Sequence, residues 1–326
     1  MNPGWVKGGI LVPSLKDYRI LLSEEQSQKR FRQAIRDTVR PGDVVLDLGT
    51  GSGLHAFFAC QAGAKRVYAV EVSSIIELAK RVASENGFSE KIRFIHGLAQ
   101  KIELPERVDV VVSYMGFLGT LQNLTDARRR FLKKGGRLIP CAVQFSFVPT
   151  EEKRRYRECV DFWSRRRYGM TFRPFRSFAE NHPAHIELRT DSFLASPKSL
   201  SPISLLQPLA RYQQWSLDFK IKKPGLLCGW GGWCSYRLSK DVLLSPRPPL
   251  RFHPKLWSHL FLPLQKPVRV KAGQRVQVEL GLYLSFSNDG PQGELWKWNT
   301  RVGDNQFHQS SFQSIPLSRE LLKRAR

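Results

Sequence analysis

The residues best placed to do chemistry lie in one stretch, Val44-Val45-Leu46-Asp47-Leu48-Gly49-Thr50-Gly51-Ser52-Gly53. An apolar run of strand-forming residues ends in an acid and breaks into a turn with glycine at alternate positions. A side chain at Gly49, Gly51 or Gly53 would stand between the backbone and a ligand, so this turn lets a ligand come close. Residues 54–62 then read as an apolar helix whose N-terminus faces the end of the strand. Residues 67–71 form a second apolar run that also ends in an acid, Glu71. Glu71 follows the turn by about 20 residues, where a parallel neighbour would bring a carboxylate onto a ribose diol. A dinucleotide fingerprint would need glycine at position 54, and Leu54 stands there instead.

Gly-x-Gly-x-Gly behind a hydrophobic-Asp-hydrophobic run resembles motif I of the class I S-adenosylmethionine methyltransferases. The resemblance implies that Gly49, Thr50, Gly51, Gly53 and Leu54, backed by Asp47, admit the amino-acid end of S-adenosylmethionine. It implies that Glu71, followed by Val72, grips the ribose. Leu98, Ala99 and Gln100 would border the adenine, and Ser113 would close the cradle after the fourth strand. The other reading is a glycine-rich turn that serves a different ligand.

The elements needed to position these residues can be read along the chain. Phe31, Ala34, Ile35 and Val39 recur at helical spacing within 23–40, with Ser23 as a candidate N-cap. Residues 1–22 read as an irregular lead-in. Helices over 74–86 and 124–132 alternate with strands over 92–96, 108–113 and 137–139. This alternation predicts a doubly wound parallel sheet, Rossmann-like, with its site at the strands' carboxyl ends. From Cys141 onward, short β-rich runs separated by proline and glycine predict a mostly antiparallel β-barrel or sandwich. The expected domains are a lead-in at 1–40, a cofactor domain at 41–140 and a β domain at 141–326. A basic helical segment is expected over 151–168 and a basic helix tail over 319–326.

Composition narrows the class. With 326 residues, 41% of them hydrophobic, the chain can bury two cores and is not disordered throughout. No apolar run reaches the ~18 residues of a membrane helix, and no secretory signal is evident, so a cytoplasmic protein is expected. Five scattered cysteines without Cys-x-x-Cys fit a reducing compartment. The histidines lack ligand spacing, and no metal site is expected. A net charge of +24 is suited to an acidic or nucleic-acid partner.

The order of parts resembles the protein arginine methyltransferase family over nearly the whole chain. The likeness rests on residues 45–53 and 63–71, Leu104-Pro105-Glu106, Met115-Gly116, and Arg130-Phe131-Leu132 with Gly135-Gly136. It continues through Phe162-Trp163, Tyr168-Gly169, Gly232-Trp233, Trp257 and Leu262-Pro263-Leu264. The resemblance implies a β-barrel, a dimerisation arm over 151–182 and a homodimer. In that family two glutamates flank the Met-Gly pair; here Ser113 and Gln122 occupy those places. A guanidinium carries five donors and no acceptor, so carboxylates are needed to clamp it. The sequence therefore points to methyl transfer onto a non-guanidine nitrogen or oxygen acceptor, possessing in some cases a negative charge. Tyr114, Gln122 and His259 are the candidate catalytic groups, and Tyr114, Met115 and Trp257 the candidate acceptor contacts. The alternatives are a catalytically silent binding or assembly protein and a divergent arginine or nucleic-acid methyltransferase.

Overall fold

The computed structural model describes residues 14–114, 119–254, 256–285 and 293–314. Two compact units divide the chain. One holds residues up to Val143 with Pro202–Leu209 and Ser235–Ser245; the other holds Gln144–Ser201, Ala210–Cys234 and residues from Pro246 on. The division is therefore not a single cut at Pro140. The expected tail at 319–326 and Met115 lie outside the described residues.

The first unit begins with two helices, α1 (Leu15–Ser23) and α2 (Glu25–Thr38). Helix α1 corrects the expectation of an irregular lead-in over its span. Ser14 caps it, and Asp17 returns a bond to the Ser14 backbone, a reciprocal box that fixes the first turn. Glu24 separates the helices and gives α2 no side-chain cap, so Ser23 closes α1 and does not open α2.

Strand β1 (Val44–Leu48) follows, then α3 (Leu54–Gln61), β2 (Arg66–Glu71), α4 (Ile76–Glu85), β3 (Ile92–His96), β4 (Val108–Val112), α5 (Gly119–Phe131) and β5 (Leu132–Ile139). The sheet is parallel in the order β3-β2-β1-β4-β5. Every residue of β1 is buried, because a central parallel strand is covered on both faces and needs no polar alternation. In register, Leu48 lies opposite Val70, and Asp47 lies between Ala69 and Val112. The chain leaves β1 for β2 on one side and reaches β4 on the other, so the order reverses beside β1. Ligands of such sheets bind at that reversal.

The strands after Pro140 build antiparallel sheets. Gly225–Arg237 pairs with His259–Val270, and Arg275–Ser285 lies between Tyr212–Lys220 and Gly293–Val302. The segment expected as one helix over 151–168 is broken. Helix α6 covers only Lys153–Cys159, a three-ten turn covers Asp161–Ser164, and α7 covers Pro174–Ala179. Between them Arg166 and Arg167 pair with Thr171 and Met170 in a hairpin. Tyr168 and Gly169 at its tip both take positive φ, 51° and 75°. That two-residue turn matches the strand twist and draws the arginines out of helical conformation.

Within the second unit, Trp230 is fully buried and its indole N–H donates to Thr300 Oγ1 at 2.8 Å. Thr300→Val would keep the volume and leave that donor unpaired. It should lower unfolding free energy by about 1–3 kcal/mol in a denaturant titration, and Thr300→Ser should lose less. Equal losses would show that the hydroxyl does not hold the tryptophan.

Candidate active site: the glycine elbow and its two acids

After Leu48 the chain turns beneath its neighbour, with the N–H groups of Gly49 and Thr50 both donating to Val70 O at 2.9 Å. Gly49, Gly51 and Gly53 take φ of 74°, 52° and 87°, a region that residues bearing Cβ rarely enter. Gly53 thereby serves as N-cap of α3. A Cβ built at Gly49 meets nothing within 4 Å, so this glycine opens on space. A Cβ at Gly51 would lie 2.9 Å from the ring of Tyr18, so α1 places a tyrosine over the second glycine. Tyr18 is buried, and burial together with the nearby Glu71 charge holds its phenol up to about 12.

Glu71 is turned inward and is 8% exposed. Its Oε1 accepts from the N–H groups of Val72 at 3.0 Å and Ser73 at 2.9 Å, and its Oε2 accepts from Gly51 N–H at 3.0 Å. A carboxylate offers about four acceptor sites, so capacity for a further donor remains on Oε2. Asp47 is more deeply buried, at 1% exposure, and takes the Thr50 hydroxyl on Oδ2 at 2.6 Å. Its Oδ1 has no completed hydrogen bond, although the Ala56 N–H lies close enough to favour a negative charge there. Burial pushes the Asp47 carboxyl up to about 7, against the opposing Thr50 and Ala56 donors.

These residues fit S-adenosylmethionine. Gly49 gives the open approach that the amino-acid end needs, and Glu71 has a fixed carboxylate with an acceptor to spare. Val72 contributes its N–H to Glu71, and Leu54 opens α3. Leu98, Ala99 and Gln100 follow β3 in a loop held by Arg130, whose guanidinium donates to Ala99 O and Gln100 O, each at 3.1 Å. The Gln100 amide donates to Asn123 Oδ1, so it is engaged with α5.

The other candidates are distributed differently. Ser113 is 2% exposed, and its hydroxyl donates to Leu48 O at 3.1 Å. Its hydroxyl is thereby committed to the backbone. Tyr114 packs against Phe31 and His55, with ring centroids 5.2 and 5.6 Å away, and its hydroxyl lies 3.4 Å from Ser27 Oγ. Gln122 falls in α5, but its side chain is outside the described residues. Trp257 is buried in the second unit beside Phe252. His259, also in that unit, accepts from Leu188 N–H through Nδ1 at 2.8 Å and donates through Nε2 to Pro246 O at 2.6 Å. Both ring nitrogens are thus committed to backbone, and burial lowers its pKa. This corrects its place among the candidate catalytic groups: it is a structural histidine.

Two groups escaped the sequence reading. Tyr18 was detectable from the Ser14-x-x-Asp17 box that starts its helix. His55 carried no such signal. It is buried, stacks on Phe31 at 4.7 Å and shares a 2.9 Å hydrogen bond with Gln28 Oε1. Burial lowers its pKa to about 4, so it is neutral at physiological pH.

Comparison with known proteins agrees with this geometry. A methyltransferase domain matches residues 45–136. Protein arginine N-methyltransferase 6 of Xenopus laevis is 30% identical over 281 residues, covering 80% of this chain and 81% of the relative. The chain belongs to the protein arginine N-methyltransferase family. A second family member, protein arginine N-methyltransferase 2 of Xenopus tropicalis, is 31% identical over 288 residues, covering 81% of this chain and 65% of the relative. The chain spans less than two thirds of the length of the first curated relatives it matches. Its fold matches a chain of the Trypanosoma brucei PRMT1 enzyme–prozyme heterotetrameric complex with AdoHcy, with TM-score 0.80 and 18% identity over 90% of this chain and 96% of that one. Among the described residues no cluster of three or more metal-ligating side chains occurs, and no helix is long and apolar enough to cross a membrane.

Two buried titrating groups of this family member, Asp47 and His55, act in opposite directions on stability. Asp47 holds its proton more tightly folded, near 7, than at its ordinary value of 3.8, so its contribution falls as pH rises through that window. His55 binds its proton more weakly folded, near 4, than at its ordinary 6.5, so its contribution rises with pH over its window. Asp47→Asn removes only the first effect. Its stability relative to wild type should climb from about pH 4 to about pH 7, by no more than about 1.4 kcal/mol per pH unit. Denaturant midpoints across that range, without cofactor, check this, and a constant difference would contradict it.

Proposed function

We propose that this chain is an S-adenosylmethionine-dependent methyltransferase whose acceptor is a guanidino nitrogen of protein arginine. The observation that carries the reading is the similarity to arginine N-methyltransferases over four fifths of the chain, joined to a cradle whose glycines and Glu71 suit the cofactor. When bound, the cofactor supplies a methyl on a sulfonium: the guanidino lone pair forms the new N–C bond, the C–S pair stays on sulfur as S-adenosylhomocysteine, and the nitrogen's proton passes to water.

The chain's own part is to hold the acceptor in line and to concentrate negative charge beside it. Neither Ser113 nor Gln122 carries a charge, and Glu24 is the carboxylate proposed to do so. It lies between α1 and α2 and is 8% exposed. Its carbonyl accepts from Ser27 Oγ at 3.1 Å, and Ser27 Oγ in turn lies 3.4 Å from Tyr114 OH. The backbone of Glu24 is thereby linked, through Ser27, to the tyrosine that follows β4. Tyr114, Gln122 and Met115 remain proposed acceptor contacts.

A second reading, a non-guanidine acceptor, is favoured by one observation: the Ser113 hydroxyl is committed to Leu48 O. Assembly is proposed as a homodimer through residues 151–182, where Met170 is 57% and Phe175 53% exposed. A cytoplasmic location fits five cysteines, none of them in a disulfide among the described residues.

Labelled cofactor incubated with an arginine-rich peptide, its lysine counterpart and a cell lysate tests the acceptor. Label should appear as methylarginine, and Glu24→Gln should lower turnover by about 100-fold with cofactor affinity kept. Label confined to other acceptors would establish the second reading. Cofactor binding without any turnover would leave a silent assembly protein. Light scattering reads the assembly, and a monomer at every concentration would exclude the dimer.

A further inference from the structure

The cradle holds a polar atom that its own hydrogen bonds do not use. Ser73 is 6% exposed, and its hydroxyl has no hydrogen-bond partner among the described residues. A buried hydroxyl left unpaired costs stability, and native chains keep few of them. The Ser73 backbone is fixed on both sides: its N–H donates to Glu71 Oε1 at 2.9 Å, and its carbonyl accepts from Ile76 N–H at 3.3 Å. The side chain is thereby held two residues beyond Glu71, past the carboxyl end of β2.

Its other neighbour is Tyr18. The Ser73 hydroxyl lies close enough to favour the ionised phenol, against burial and the Glu71 charge, without completing a bond to it. Tyr18 Oη in turn lies 3.6 Å from a Cβ built at Gly51, whose N–H donates to Glu71 Oε2. Glu71, Ser73 and Tyr18 therefore bring side-chain oxygens to the same turn.

A ribose diol presents two hydroxyl donors. A carboxylate offers about four acceptor sites, and the N–H groups of Gly51, Val72 and Ser73 already take three on Glu71. Its Oε1 is full, and its Oε2 can receive one hydroxyl. The second hydroxyl must find another acceptor or be buried unpaired. A phenol oxygen shares its lone pair with the ring and accepts poorly; the aliphatic hydroxyl of Ser73 accepts well and is already desolvated.

We propose that Ser73 takes the second ribose hydroxyl of the cofactor, so that Glu71 and Ser73 divide the diol between them. This division rests on the cradle binding S-adenosylmethionine, and it makes Ser73 a residue that selects ribose over deoxyribose.

Calorimetric titration of the full chain with S-adenosylhomocysteine and its 2′-deoxy and 3′-deoxy analogues tests this. Wild type should lose affinity for both analogues. The loss should exceed tenfold for the one lacking the hydroxyl on the Glu71 carboxylate and be about fivefold for the other. Ser73→Ala should weaken S-adenosylhomocysteine about fivefold and bind that second analogue at least as tightly, because the hydroxyl it lacks has no partner left. The ligand-free variant should unfold at the same denaturant concentration as wild type or higher, since it deletes an unpaired hydroxyl. A lower midpoint would show a hydroxyl already partnered without ligand and would overturn the proposal. Undiminished binding of S-adenosylhomocysteine by Ser73→Ala would overturn it too. So would Tyr18→Phe, if that variant and not Ser73→Ala abolished the difference between the two ligands. Wild type that binds no S-adenosylhomocysteine would remove the cofactor reading itself, and the division of the diol with it.

Discussion

One carboxylate holds the site together. Glu71 ends its strand and accepts three backbone N–H groups, one of them from the glycine turn that ends the neighbouring strand. Charge-assisted bonds of this kind are stronger than neutral ones, and in a buried setting losing the acceptor would leave donors unpaired. The elbow therefore has its shape before any ligand arrives, which spares the cost of ordering it on binding. Gly51 must be glycine twice over: its φ is positive, and Tyr18 occupies the place a Cβ would take.

The two acids of the cradle have different duties because their surroundings differ. Glu71 is surrounded by donors and keeps an acceptor for a ligand. Asp47 lies below the turn, at full burial, with one oxygen fixed by Thr50 and the other incompletely satisfied. Its raised pKa records the cost of that position. Ser113 and Gln122 carry no charge, and a buried acid, Glu24, lies between the first two helices. An aromatic layer of Phe31, His55 and Tyr114 lies beside that junction, with His55 kept neutral by burial.

Much of this was legible in the sequence. The strand, elbow and helix from Val44 to Gln61, the acid at Glu71 and the switch to antiparallel strands all follow from local pattern, because each is dictated by backbone geometry or two-sided burial. What pattern could not give was the partner of each side chain. His259 sits in a run that looks acceptor-like, yet its ring nitrogens are taken by Leu188 and Pro246, residues far away along the chain. Ser113 follows β4 in the sequence, yet its hydroxyl is taken by a carbonyl of the neighbouring strand. The helix expected over 151–168 stops at Cys159, and its last part has a local reason: Tyr168-Gly169 is a turn pair that holds Arg166 and Arg167 in a hairpin.

The central claim is that the elbow, Glu71 and Tyr18 enclose S-adenosylmethionine or its product. A crystal structure of the chain with S-adenosylhomocysteine tests it most directly. The account predicts a ribose hydroxyl on Glu71 Oε2, the amino-acid end beside Gly49, and the Tyr18 ring next to the ligand. Density for the ligand elsewhere, or an elbow that stays filled by Tyr18 at saturating ligand, would contradict it.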